Sequence, residues 1–266
     1  MTVREWIRNK EICGKTVFSL RELRESFPQL SNQVILNNLA RLRREKVIYS
    51  PYSSLYVALP PQYVLRGAVP SYYFMDALMK EQKRSYYFGL LSAASLWGAA
   101  HQRPQTDFVV TTPPRLFVGS SQKRSVKWLY REAIPSRFIC QKPGEAGPVI
   151  YSNAELTALD LVQFEQHAGG LSAVATVIGE LLESTDFKGA SDGLFSECKN
   201  TVIRRLGYIV EKVIGDEKQG AVIFSELSKV DSNLHYAALS PRGLPSDVRD
   251  DRWKLTINAR IEVDDI

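Results

Sequence analysis

Residues 31–57 constrain the fold more than any other stretch, because a helix pattern is followed at once by a hairpin pattern. Ser31 suits a helix N-cap, since its hydroxyl can accept a bond from an otherwise unpaired backbone N–H. The apolar residues that follow recur at four- and three-residue spacing and predict one buried face: Ile35, Leu39 and Leu42. Two short β-prone runs, 47–49 and 55–57, flank a polar turn. A basic-ended helix followed by such a hairpin predicts the recognition helix and wing of a winged helix-turn-helix.

The preceding residues complete that module. We expect a first helix over 2–9 and a strand at 16–18 that pairs with the wing. Ser19 and Glu22 have the three-residue spacing of a capping box, which predicts a second helix over 20–27. A turn of four residues then separates the second helix from the third, as a helix-turn-helix requires.

The third helix supplies the residues expected to contact DNA. The N-terminal part of a recognition helix meets base edges, where Asn and Gln suit adenine and Arg suits guanine. The expected base contacts are Asn32, Gln33, Asn37 and Arg41. The expected phosphate contacts are Arg43, Arg44 and Lys46. At the wing tip we expect Tyr52 and Ser53. The alternative is a winged helix that contacts only proteins.

The distribution of charge favours a polyanionic partner. The net charge of +5 conceals a gradient along the chain. Residues 1–66 hold 11 Lys/Arg against 5 Asp/Glu, and residues 67–140 hold 10 against 4. Residues 141–266 hold 13 against 20 and are acidic. A basic first half favours double-stranded DNA through counterion release, although an unevenly charged solvated surface has the same composition.

The remainder predicts a second, mixed domain. Pro60 and Pro61 interrupt the sheet pattern, so we divide the chain into a winged-helix domain, 1–62, and a second domain, 63–266. Helices are expected near 71–82, 90–101, 154–166, 171–183 and 192–205. Strands are expected near 108–112, 125–130, 221–225 and 253–261. The predicted fold class is α+β, with an N-terminal winged helix-turn-helix followed by a mixed α/β C-terminal domain.

A second basic cluster lies in this domain. It contains Arg115, Lys123, Arg124, Lys127 and Arg131. Strand-like alternation around it could place cations on one rim, and we predict that Lys123, Arg124 and Lys127 add phosphate contacts. A solvated strand face is the alternative interpretation.

The sequence predicts no active site. The three histidines, His101, His167 and His235, give no metal pair one helical turn apart, and no nucleotide or nucleophile motif is present. We therefore expect no catalytic residue, no metal and no cofactor. A metal-dependent nuclease that uses Asp250 and Asp251 is the rival enzyme hypothesis, although the adjacent arginines favour a surface ion-pair turn.

Other features predict a cytoplasmic protein. The three cysteines are odd in number and far apart, which favours a reducing compartment. No stretch approaches the ~20 apolar residues of a membrane span. Residues 1–10 lack the apolar core of a secretory signal.

Two motifs resemble a known family. The first begins with an aromatic pair and small residues at 86–94, continues through Trp97 and Gly98, and exits at 101–104 before a Val-Val-Thr strand. The second is Ser-Asn-Ala-Glu-Leu-Thr-Ala-Leu-Asp-Leu-Val at 152–162, followed by Gly-Gly-Leu at 169–171. Together they resemble the AbiEi-type antitoxins of type IV toxin–antitoxin systems. The family usually has Arg where Leu156 stands, so that position receives no polar role.

This resemblance implies a bacterial autorepressor. Its winged helix would bind repeats in its own promoter, and its C-terminal domain would counteract an AbiEii-type toxin with a nucleotidyltransferase fold, without a stable complex. The alternative function is a transcription factor with a sensory C-terminal domain.

Overall fold

The computed structural model describes residues 1–99, 104–116, 126–231 and 235–263. Within them the chain is a mixed α/β protein with three sheets, which confirms the predicted fold class. It divides into two compact units. The first consists of Met1–Tyr87, Gln105–Ile134 and Gln141–Ile150, and the second of Phe88–Pro104, Pro135–Cys140 and Tyr151–Ile266. These units group the residues differently from the division at 62, and that domain boundary stays a prediction.

The N-terminal elements follow the order expected of a winged helix. They are α1 (Val3–Ile12), β1 (Val17–Ser19), α2 (Leu20–Ser26), α3 (Asn32–Arg44), β2 (Ile48–Tyr52) and β3 (Leu55–Ala58). The three strands form an antiparallel sheet in the order β1-β3-β2. The strand expected at 16–18 therefore does pair with the wing.

Side-chain caps explain where these helices begin. Thr2 forms a capping box with Glu5, and Ser19 accepts a bond from the Glu22 amide at 3.1 Å. Ser31 accepts from the amide of Val34 at 3.3 Å. Each cap satisfies an N–H that the first turn of the helix leaves unpaired. The helices and sheet enclose one apolar core, which includes Trp6, Ile7, Phe18, Leu23, Ile35, Leu39, Leu42 and Ile48.

A five-stranded sheet follows. Its strands are β4 (Tyr86–Phe88), β5 (Asp107–Thr111), β6 (Val126–Tyr130), β7 (Ile139–Gly144) and β8 (Gly147–Ser152), in the order β6-β5-β4-β8-β7. The β5–β6 pair is parallel, as is the β4–β8 pair. Two helices belong to this part of the chain, α4 (Met75–Glu81) and α5 (Leu90–Leu96).

The second unit is mainly helical. Its helices are α6 (Ala154–Gln163), α7 (Gly170–Leu181), α8 (Asn200–Tyr208) and α9 (Glu217–Val230), with a π-helix, Ile209–Ile214, directly after α8. A small sheet of β9 (Ala237–Ala238), β10 (Arg249–Asp250) and β11 (Leu255–Thr256) follows. No helix in the described ranges is both long and apolar enough to cross a bilayer.

Three predicted elements in this unit were wrong. Residues 221–225 lie inside α9, because Asp216 caps a helix whose buried residues recur at helical spacing. The strand expected over 253–261 is reduced to β11, with Trp253 in a turn. The helix expected over 192–205 begins only at Asn200.

Candidate nucleic-acid interface

The outward face of α3 is a stripe of polar and small side chains. Ile35, Leu39 and Leu42 are buried, which directs the opposite side of the helix to solvent. At four- and three-residue spacing that side presents Gln33, Asn37, Ala40 and Arg44, all exposed. Asn32, Arg41, Arg43 and Lys46 are also exposed. Every side chain expected to contact DNA from this helix is therefore accessible, and the contacts themselves stay predictions.

Two of these side chains are coupled. The Gln33 amide nitrogen donates a hydrogen bond to the Asn37 carbonyl oxygen, with 3.0 Å between Nε2 and Oδ1. This bond leaves Gln33 Oε1 as an acceptor and Asn37 Nδ2 as a donor. Adenine presents a donor at N6 and an acceptor at N7 in the major groove. The coupled pair therefore has the groups required for one adenine.

The cations of α3 differ in their surroundings. Arg41 donates to Asn38 Oδ1 at 3.3 Å and lies 4.0 Å from a Glu45 oxygen, so its guanidinium is held along its own helix. Arg44 lies on the outward stripe. Arg43 lies towards the wing, since its charge opposes the rise that burial causes in the pKa of Tyr56. Arg41 is accordingly less suited to reach a base than its sequence position alone suggested.

The wing is tighter than the sequence indicated. β2 continues to Tyr52 and β3 begins at Leu55, so the turn consists of Ser53 and Ser54. Ser53 is exposed, but Tyr52 is only 2% exposed and packs edge-on against Phe74, with 5.9 Å between ring centroids. The placement of Tyr52 at an exposed wing tip is corrected, because its ring belongs to the core.

The second basic cluster is only partly described. Lys123 and Arg124 lie outside the described residues. Lys127 is exposed on β6, and Arg115 is exposed as well. Arg131 is only 8% exposed, so it does not supply a surface cation to the predicted rim.

The proposed carboxylate site has structural roles instead. Asp250 Oδ1 accepts from the Trp253 amide at 2.7 Å, and Asp251 accepts from the Tyr236 hydroxyl. In the ranges that the structure describes, no group of three or more His, Cys, Asp or Glu residues is placed to hold a metal ion. His101 lies outside those ranges. These contacts fit the ion-pair turn better than a nuclease centre.

The two family-like motifs meet in the second unit. The Trp97 indole N–H donates to the carbonyl of Ser152 at 3.0 Å. The hydroxyls of Ser152 and Thr157 lie 2.6 Å apart, and Asn153 caps α6 by accepting from the Leu156 amide at 2.9 Å. Leu156 is fully buried, which agrees with the absence of a polar role there. The motifs thus hold the start of α6 in place.

Comparison with known proteins identifies this region. Residues 87–212, just under half of the chain, match the family model of the AbiEi antitoxin C-terminal domain. The match confirms the AbiEi-type resemblance. It supports an antitoxin role in a toxin–antitoxin system, and the matched family is regulatory rather than enzymatic. The winged-helix elements precede the matched residues.

The fold is similar to that of a known crystal structure. It is the crystal structure of the RV2827C protein from Mycobacterium tuberculosis, with a TM-score of 0.68 over 95% of this chain and 89% of that chain. The two sequences are 14% identical, so the likeness concerns the fold alone. Among curated proteins, no sequence match reaches significance.

Sequence reasoning missed two features of the exposed face of α3. The Gln33–Asn37 bond could have been suspected from the four-residue spacing, which brings side chains together on a helix. Ala40 carries no chemical signal of its own. Its relevance comes from its position, because the fold places this small side chain between Asn37 and Arg44 on the outward stripe.

Proposed function

We propose that this chain is a DNA-binding autorepressor and the antitoxin of a type IV toxin–antitoxin system. It binds repeats in its own promoter and counteracts an AbiEii-type, nucleotidyltransferase-like toxin without forming a stable complex with it. The AbiEi match supports the antitoxin half. The observation that carries the DNA-binding half is the exposed polar stripe of α3, which lies beside a hairpin wing.

In the proposed complex the outward stripe of α3 enters the major groove. The Gln33–Asn37 pair meets an adenine, and Asn32 lies at the helix start, where it can reach a base or a phosphate. The outward cation Arg44 can reach a phosphate or a guanine edge. Arg41 contacts a guanine if the operator displaces it from Glu45.

Contacts to the phosphate backbone position the module. On the winged helix they come from Arg43, Lys46 and Ser53. Lys123, Arg124 and Lys127 are proposed to extend this footprint. Because each neutralised phosphate releases counterions, affinity falls as salt rises. The proposal needs no cofactor and no metal.

The first test is operator binding by the whole protein. Fluorescence anisotropy with duplexes that tile the DNA upstream of the gene should find one region bound at least ~10³-fold more tightly than shuffled sequence, as specific protein–DNA pairs are. Lys188→Gln removes an exposed cation of the second unit and is the control for the loss of one positive charge away from α3; it should bind as wild type does. Equal affinity for every duplex would contradict sequence-specific repression.

The whole chain tests the antitoxin half more cleanly than a truncated chain does. A fragment that begins after the predicted boundary would lack residues 1–62 of the first compact unit, which extends to Ile150. The whole chain, co-expressed with the product of the neighbouring gene, should restore growth. Failure to relieve toxicity at confirmed expression would remove the antitoxin half and favour the alternative, a transcription factor with a sensory C-terminal domain.

A further inference from the structure

The second unit contains a large cavity that neither the DNA-binding surface nor the antitoxin motifs explain. Its volume is about 910 Å³. One wall is the end of α8 and the π-helix, from Tyr208 to Ile214, and the other is built from residues within 244–263. The family match ends at Lys212, so the second wall lies entirely outside the matched domain. Cavities of ~300–1,000 Å³ are the size that small-molecule ligands occupy.

The two walls are fixed to each other by Trp253. Its indole N–H donates to the buried carboxylate of Glu211 at 3.0 Å. Its ring lies against Gly207, where a Cβ atom would come within 2.0 Å of the indole, and packs edge-on against Phe224 at 5.4 Å between centroids. The cavity is therefore bounded by elements that are locked together.

The π-helix that forms part of the wall is an unusual element. It runs for six residues, from Ile209 to Ile214. π-helices are rare and are found frequently at functional sites. Here Glu211 is buried against Trp253, while the neighbouring Lys212, Val213 and Ile214 line the cavity. One side of the π-helix therefore packs against Trp253, and the other side lines the cavity.

The lining combines exposed apolar side chains with cations. Leu244 is 81% exposed and Val248 is 64% exposed, although both are large and apolar. Contiguous exposed apolar surface is typical of a binding site. The lining also includes Lys212 and Arg260, and none of the lining residues up to Val263, where the described part of the chain ends, is an Asp or a Glu.

The partners of both cations leave them able to bind an anion. Glu211 is shared between Lys212 at 2.7 Å and Arg252 at 2.9 Å, and the charge of Asp250 also acts on Lys212, but the Lys212 side chain remains 45% exposed. Arg260 pairs with Glu262 at 2.9 Å, but these side chains are 88% and 69% exposed. Exposed pairs of this kind contribute little and exchange readily.

We propose that this cavity is a binding site for an amphipathic organic anion. The apolar body of the ligand packs against Val213, Leu244 and Val248, and its acidic group is bound by Lys212 and Arg260. The inference goes beyond the antitoxin and repressor functions and does not depend on either.

Two fluorescent probes of nearly equal shape test the proposal. 8-Anilinonaphthalene-1-sulfonate is an amphipathic anion, and N-phenyl-1-naphthylamine is the same molecule without the sulfonate. Titrated into the folded whole protein, the sulfonate should bind saturably at one site and about tenfold more tightly than the neutral probe, the size of one charge-assisted contact. Equal affinity of the two probes, or no saturable binding of the sulfonate, would overturn the proposal.

Variants locate the site. Lys212→Gln combined with Arg260→Gln should weaken sulfonate binding about tenfold and change binding of the neutral probe less than about twofold. Val248→Trp, at an exposed position, should weaken both probes by filling the cavity. Circular dichroism checks that each variant is folded.

Lys229→Gln is the matched control. Lys229 pairs with the buried carboxylate of Glu226 at 2.6 Å, much as Lys212 pairs with Glu211, but it does not line the cavity. It should leave both probes unaffected. If Lys229→Gln lowers sulfonate affinity as much as the double variant does, binding is not at this cavity and the proposal fails.

Discussion

The helices α3 and α6 each support one half of the proposed function, and they differ in how much of each helix is buried. Of the 13 residues of α3, only Ile35, Leu39 and Leu42 are buried. Of the 10 residues of α6, all but Glu155 and Gln163 are buried. The residues that predict DNA binding therefore lie on the surface, whereas most of the residues that carry the family resemblance in α6 are buried.

This difference shows what each kind of motif can establish. The 152–162 motif lies within the residues that match the AbiEi antitoxin C-terminal domain, and its Asn153 and Thr157 fix the start of α6. It does not identify an antitoxin surface, since its side chains face inwards. The α3 stripe identifies a surface, but it leaves the bound sequence open. We expect substitutions in the two helices to separate stability from recognition.

The largest expected effect is on stability. Leu159→Ala in α6 removes a fully buried side chain and should lower the free energy of unfolding by about 3 kcal/mol. Asn37→Ala, on the exposed face of α3, should change it by less than about 0.5 kcal/mol. Urea denaturation followed by circular dichroism measures both. Similar losses of stability for the two variants would contradict the difference in burial between α6 and the exposed face of α3.

The next effect is on recognition. Asn37→Ala should weaken operator binding by about 2 kcal/mol, because an amide contact to adenine is lost. Gln33→Ala should weaken it as well, and the double variant should lose less than the sum, since the two amides bond to each other at 3.0 Å. Fluorescence anisotropy with the operator duplex measures the affinities of the wild type, the two single variants and the double variant. Strict additivity would show that the two side chains act independently.

A buried charge in the second unit gives a pH-dependent effect. Hydrogen bonds from Lys229 and Ser191 lower the pKa of Glu226 from 4.5 to about 2. A lowered folded-state pKa stabilises the protein above the unfolded pKa, near ~4.3, and this contribution is lost as pH falls towards 2. Glu226→Gln should therefore cost about 1.5 kcal/mol at pH 7.

The stability gap between wild type and Glu226→Gln should close progressively below pH ~4.3. Denaturation curves across the acid range measure it. Glu25→Gln is the control, because its pair with Arg21 is 63% and 84% exposed, and it should give no comparable pH dependence. A gap that stays constant down to pH 2 would show that Glu226 is not held ionised by these contacts.

The smallest effect concerns the second basic cluster. Lys127→Gln should lower operator affinity about threefold and reduce the slope of log affinity against log salt by about 1, because one phosphate contact is lost. Reversing Lys123, Arg124 and Lys127 to Glu together should weaken binding further and flatten its salt dependence. Affinity unchanged at several salt concentrations would confine the interface to the winged helix.

The sequence predicted the N-terminal elements well because their signals are local. The caps at Ser19 and Ser31 and the apolar spacing of α3 act within a few residues of each other. The exposure of Tyr52 could not be predicted, because its burial depends on Phe74, more than twenty residues away. Arg131 was misjudged for a similar reason, since burial of its side chain is set by tertiary packing.

The helix–strand errors of the second unit have a related cause. Residues 221–224 are β-prone when taken alone, but the cap at Asp216 and the buried positions Ile223 and Leu227 set a helical period over a longer window. Trp253 was expected to begin a long strand. It is instead buried in a turn, where Gly207 leaves room for its ring. Neither the close approach nor the cavity beside it has a signature in the sequence.

In the proposed function, one surface binds the operator while another part of the chain opposes the toxin. The most direct measurement is growth of cells that express the neighbouring toxin gene together with the Asn37→Ala, Arg44→Ala variant, supplied from an unrelated promoter at matched protein levels. We expect this variant to fail to bind the operator yet to restore growth as fully as wild type does. Loss of rescue together with loss of operator binding would contradict it.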